Sequence, residues 1–111
     1  MEKINKTNLI KQIIETAYTA ASSCYGVVAL VRSDSLTNRD FSSLSSEEAH
    51  KGINVRRLPG GKFDVDIFIA LSMEVKLTEA IFECQKVVKY QLNKRFNNNC
   101  NKVNVYATSV K

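Results

Sequence analysis

The chain predicts an α+β two-layer sandwich in the order α-β-β-β-α-β, with a four-stranded mixed sheet and two helices on one of its faces. Three observations carry that expectation. Two stretches repeat their apolar residues at the helical period, residues 63–71 alternate strictly, and a strand, a helix and a strand follow one another in the second half. At 111 residues the chain has the length of one domain.

From Asn8 to Cys24 the apolar positions Leu9, Ile10, Ile13, Ile14, Ala17, Ala20, Ala21 and Cys24 fall within an arc of about 140°. Asn5 or Thr7 is the expected cap, and Gly26 ends the helix. Val27 to Val31 is a continuous β-branched run that reads as a strand covered on both faces. Residues 33–52 are rich in serine and show no sustained period beyond a short turn at Glu47 to His50, so a long, mobile loop is expected there. Ile53 and Val55, the turn Leu58-Pro59-Gly60-Gly61, and then Phe63, Val65, Ile67, Ile69 and Leu71 make a hairpin whose odd-numbered residues point inward. Its other face, with Asn54, Arg56, Asp64, Asp66, Phe68 and Ala70, is expected to be at least partly wet.

The helical period returns from Val75 to about Phe96, through Leu77, Ala80, Ile81, Cys84, Val87, Val88 and Leu92. Lys94 and Arg95 in its last turn oppose the negative end of the helix dipole, and Asn97 to Asn101 supply residues that tolerate a left-handed backbone. Val103, Val105 and Ala107 alternate with Asn104, Tyr106 and Thr108 as a closing strand.

Composition excludes several classes of function. Sixteen Lys and Arg against eleven Asp and Glu give a net charge of +5, a mild attraction to polyanions that names no partner. Lys51, Arg56, Arg57 and Lys62 form one basic stretch, and Lys86, Lys89, Lys94, Arg95 and Lys102 another. Three widely spaced cysteines and a single histidine do not make a zinc site, so no metal and no cofactor is expected. The longest apolar run is far below the roughly 20 residues that a membrane span needs. The reading is a reduced, cytoplasmic chain without an anchor of its own.

No constellation of catalytic residues emerges. Asp64 and Asp66 share a strand face, but Arg56 on the neighbouring arm makes them a salt link rather than an acid–base pair. Cys24 and Cys84 lie on buried helical arcs, and Cys100, in an asparagine stretch, is expected to be more exposed and lacks a cationic activating shell. Pro59-Gly60-Gly61-Lys62 is flanked by strands on both sides and reads as a hairpin turn, not a phosphate cradle. The residues that stand out are Phe82, Lys86, Lys89, Tyr90 and Asn93, which project within about 100° on the side of the second helix facing away from the core. Phe68 and Tyr106 pose the same question on the open sheet face. These seven are the candidate contact residues for a protein partner or a second copy; Arg56, Arg57 and Lys62 are the alternative, as anion contacts of a weak RNA-binding module.

Tyr25-Gly26-Val27-Val28, Ile53-Asn54-Val55, Gly61-Lys62-Phe63-Asp64-Val65-Asp66-Ile67-Phe68-Ile69, the helix with Val75, Ala80, Gln85 and Val88, and above all Val103-Asn104-Val105-Tyr106-Ala107 resemble the bacterial alkaline shock protein family. The likeness spans nearly the whole chain except residues 33–51. Two departures stand out: the short strand that family members carry before the first helix is reduced to Met1 to Lys6, and Ser72-Met73-Glu74 replaces a Tyr-Gly before the second helix. The resemblance implies a non-enzymatic protein of stress or cell-envelope function with no catalytic residues. It further implies a cytoplasmic location, in some members beside a membrane-anchored partner, and a capacity to self-associate.

Overall fold

The computed structural model describes residues 6–110. Helix α1, Lys6–Ser22, leads into strand β1, Val27–Leu30; a single turn α2, Ser35–Asn38, and a 3₁₀ turn over Ser46–Lys51 precede β2, Ile53–Arg57. A tight turn through Pro59–Gly61 joins β2 to β3, Phe63–Ser72, and helix α3, Leu77–Arg95, returns the chain to β4, Cys100–Val110. Asn5, one of the two expected caps, lies outside the described residues, and Thr7 sits inside α1 rather than ahead of it.

The sheet is organised around β3. Along one edge β4 pairs with it in parallel from Phe63↔Cys100 to Ser72↔Val110. Along the other edge β2 pairs antiparallel from Ile53↔Ile67 to Arg57↔Phe63, and β1 continues the same edge at Val27↔Leu71 and Leu30↔Ile69. The four strands therefore make a mixed sheet that is three strands wide at any level. Both long helices lie on the face carrying the odd-numbered residues of β3: Ile13, Ala17, Ala20 and Ala21 of α1 and Ala80, Cys84, Val88 and Leu92 of α3 share one cluster with Phe63, Val65, Ile67, Ile69 and Leu71. Alternation at period two leaves β3 no other way to bury five large apolar side chains together.

Gly26, at φ 85°, turns α1 into β1 with a conformation that L side chains rarely adopt, and Val75 packs where a Cβ would stand. Gly52 is buried for a different reason, since a Cβ there would collide with the Val31 carbonyl. The Asn97 and Asn98 backbones, at φ 55° and 60°, make the left-handed turn between α3 and β4.

Three expectations are corrected. β1 is not covered on both faces: Val28 is 57% exposed, because the strand has only four residues and lies at the sheet margin. In the serine-rich segment the short turn expected at Glu47 to His50 is present as the 3₁₀ turn over Ser46–Lys51, but the rest is not plain loop: the turn α2 precedes it, Ser45 and Glu48 close a reciprocal capping box over the 3₁₀ turn, and Asp40 accepts from the backbone and hydroxyl of Ser42. These bonds hold the Glu48 and Asp40 carboxyls below their ordinary range. Cys100 is buried rather than exposed: the Asn93 side chain accepts its backbone N–H at 2.8 Å and draws the start of β4 under the end of α3.

Candidate functional site

The outward arc of α3 carries two strongly exposed aromatic side chains. Phe82 is 59% and Tyr90 63% exposed, two helical turns apart on one stripe. Lys86 stands between them, its ammonium 5.4 Å from the Phe82 ring centroid and 3.7 Å from the Glu83 carboxylate. That cation partly covers one face of the ring, and the rest of the stripe stays wet. Lys89 is exposed beside it. Asn93, expected on the same stripe, is turned inward to Cys100 and does not belong to the surface.

The second candidate surface is the even-numbered face of the sheet, and it divides into a polar and an aromatic half. In the polar half Arg56 of β2 pairs with Asp66 and, at 3.5 Å, with Asp64 of β3. From the far side Asn104 donates to Asp66 at 2.9 Å and Asn101 to Asp64 at 3.0 Å. These contacts form a ladder across three strands that satisfies Asp66 although it is only 8% exposed. The carboxylates of Asp66 and Asp64 raise the pKa of Arg56 further, so its charge is spent inside the protein. In the aromatic half Phe68 and Tyr106, opposite each other on β3 and β4, stack with ring centroids 4.8 Å apart and planes within 17°. Tyr106 remains 46% exposed.

Of the candidate anion contacts, Arg56 is thus committed to Asp64 and Asp66, whereas Arg57 and Lys62 stand exposed at the β2–β3 turn. The thiols are poor nucleophiles: burial raises the pKa of Cys84, burial raises that of Cys24 too, and burial together with the Asp64 charge, against the pull of Lys89, pushes Cys100 up to about 11. Among the described residues no group of three or more His, Cys, Asp or Glu is placed to hold a metal ion. No helix among them is long and apolar enough to cross a membrane.

One feature escaped the sequence reading. Ile10 and Ile14 fall on the apolar arc of α1, yet they are only half-buried and line, with Tyr18, Ser46, Glu47 and His50, a groove of about 690 Å³ between α1 and the 3₁₀ turn. Their spacing with Tyr18, at i, i+4 and i+8, is the signal of a flank that the sheet does not reach.

Fold and surfaces together define a small α+β domain that exposes aromatic and basic side chains on the outward arc of α3 and basic ones at the β2–β3 turn. The chain belongs to the alkaline shock protein family, a family of cell envelope-related function, whose profile matches residues 1–111. It is 28% identical over 92 residues to "Uncharacterized protein YloU" of Bacillus subtilis (strain 168), which covers 83% of this chain and 76% of that one. It is also 28% identical over 92 residues to "Uncharacterized protein Spy1614" of Streptococcus pyogenes serotype M6, covering 83% and 75%. Among solved structures, variants of the MamM CTD are similar in fold: one has a TM-score of 0.58 at 13% identity, covering 93% of this chain and 98% of that one. Another has a TM-score of 0.57, also at 13% identity, covering 92% and 99%. At that identity the likeness is one of architecture.

Proposed function

We propose that this chain is a non-enzymatic interaction protein of envelope-related function, acting in the cytoplasm by docking a protein partner against the outward stripe of α3. The observation that carries the reading is the pair Phe82 and Tyr90, more than half exposed and two turns apart with Lys86 between them. Aromatic rings flanked by flexible cations on a rigid helix are the side chains that anchor protein interfaces. The family's envelope-related description supports a partner that is itself held at the membrane. The Phe68–Tyr106 stack is the second surface available for association.

Capture of the tagged chain from lightly cross-linked native cells, with and without nuclease, tests this. A nuclease-resistant protein partner that Phe82→Ala and Tyr90→Ala each lose, with the melting temperature unchanged, is the expected result. Capture indifferent to both substitutions removes the stripe from consideration. Capture that disappears with nuclease and weakens steeply with salt instead selects the RNA-binding alternative, with Arg57 and Lys62 as its phosphate contacts.

A further inference from the structure

The outer edge of β4 is the longest stretch of backbone in the described residues with no strand against it. β4 runs for 11 residues and pairs only with β3. Its free edge can be assigned by parity. The Val110 carbonyl accepts from the Met73 N–H, and Val110 lies opposite Ser72, so the even-numbered residues of β4 aim their backbone groups at β3. The N–H and C=O groups of Val103, Val105, Ala107 and Ser109 therefore point away from the protein. Proteins ordinarily blunt such an edge with proline, bulges or several charges. From Val103 to Val110 this one carries no proline, no glycine and no charged residue, and Lys102 is the single charged side chain of the strand.

We propose that this edge is an interface between two copies of the chain, in which β4 pairs antiparallel with β4 of a second copy about a two-fold axis at Tyr106. Only registers that place odd residues opposite odd residues use the outward backbone groups, and the one centred on Tyr106 engages all four of them. Val103 then faces Ser109 of the second copy, Val105 faces Ala107, and the four hydrogen-bonded pairs exchange about eight hydrogen bonds. The even-numbered side chains fall at the non-hydrogen-bonded pairs, where side chains approach most closely. Asn104 meets Thr108 there, and Tyr106 meets its own symmetry mate. Aromatic cross-strand pairs are among the favourable ones. Each Tyr106 already stacks on Phe68, so the pairing joins two stacks into one aromatic ribbon across the joint sheet and covers a tyrosine otherwise 46% exposed.

Charge permits the arrangement. Lys102 falls opposite Val110, eight residues along the strand from its own mate, or about 27 Å, well beyond the screening length of about 8 Å at physiological salt. The edge is separate from the Phe82–Tyr90 stripe, so the proposal stands independently of the docking function.

Sedimentation equilibrium on the full chain tests it, supported by circular dichroism of every variant. The wild type is expected as a dimer. Ala107→Pro deletes an outward N–H without removing a bond to β3, and Tyr106→Lys sets two like charges against each other on the axis; both are expected to weaken association tenfold or more while the spectrum stays that of the wild type. Tyr106→Phe keeps the dimer, and so does Tyr90→Ala, which reports on the docking stripe instead. As a positive readout, Tyr106→Cys should cross-link between chains under mild oxidation far faster than the wild type does. A wild type that remains monomeric overturns the proposal, as does a dimer that survives both Ala107→Pro and Tyr106→Lys.

Discussion

The two faces of β3 are built from the same ten residues and obey different physics. Its odd-numbered side chains, Phe63, Val65, Ile67, Ile69 and Leu71, are nearly inaccessible and face α1 and α3. Its even-numbered side chains, Asp64, Asp66, Phe68 and Ala70, face neither of the long helices; Phe68 lies near Ser35 of the single turn α2, and Asp66, the buried polar residue among them, is held by partners on β2 and β4. Stability on the inner face comes from apolar area removed from water, whereas the outer face relies on polar groups each finding an acceptor or donor. The difference is sharpest at the adjacent residues Asp66 and Ile67. Ile67→Ala removes a completely buried side chain from the middle of the core and should cost about 2–5 kcal/mol, read by urea unfolding with an unchanged slope. Phe68→Ala, one residue further and half-buried, is expected to cost clearly less; equal losses would mean that the outer face is a second core.

The inner-face thiols give the next effect, and its sign follows from burial. Cys100 titrates near 9.0 in an unfolded chain and at about 11 in the folded protein, and burial raises the Cys84 pKa in the same direction. A raised folded-state value means that the native protein holds the proton more tightly than the unfolded chain does. The contribution is fully present below about pH 9 and is lost as pH climbs through about 11. Urea midpoints should therefore fall across that window, and Cys84→Ser with Cys100→Ser should flatten the fall. A midpoint that stays constant throughout that window would contradict the burial of both thiols.

How much of this was legible beforehand depends on whether the signal is local. The alternation from Phe63 to Leu71 fixes one face of β3 without reference to anything else, and the helical arcs of Phe82 and Tyr90 likewise fix their exposure. The run Val27 to Val31 misleads, since five apolar residues look alike in a central strand and in a short marginal one, and only the sharing of one β3 edge by β1 and β2 exposes Val28. Cys100 and Asn93 are misplaced together, because their contact joins two elements across a turn of left-handed asparagines. The Ser45–Glu48 box is readable in principle, as Ser-x-x-Glu is a local signature, but the serines around it mask the pattern.

Breaking the outer face takes a polar substitution. Asp66→Ala removes the acceptor shared by Arg56 and Asn104 at a position with little access to water, and a drop in melting temperature of about 5 °C is expected. The same change in an Arg56→Ala background should cost less, since the two residues act through one contact and their effects do not add. Additive losses would show that Asp66 is held by Asn104 alone.

The smallest effect on stability separates surface for folding from surface for contact. Phe82 is 59% exposed and lies beside Lys86 rather than within the buried cluster, so Phe82→Ala is expected to move the unfolding free energy by no more than about 0.5 kcal/mol. Phe63, an aromatic of the same size at the opposite extreme of burial, meets Phe96 edge to face at 6.1 Å, and its replacement by alanine should approach the cost of Ile67→Ala. Two phenylalanines with stability effects this different in size, of which only Phe82 is needed for partner capture, would show that α3 carries an aromatic retained for recognition. If Phe82→Ala instead destabilises the protein as strongly as Phe63→Ala, the ring belongs to the fold and the stripe loses its claim to be a docking surface.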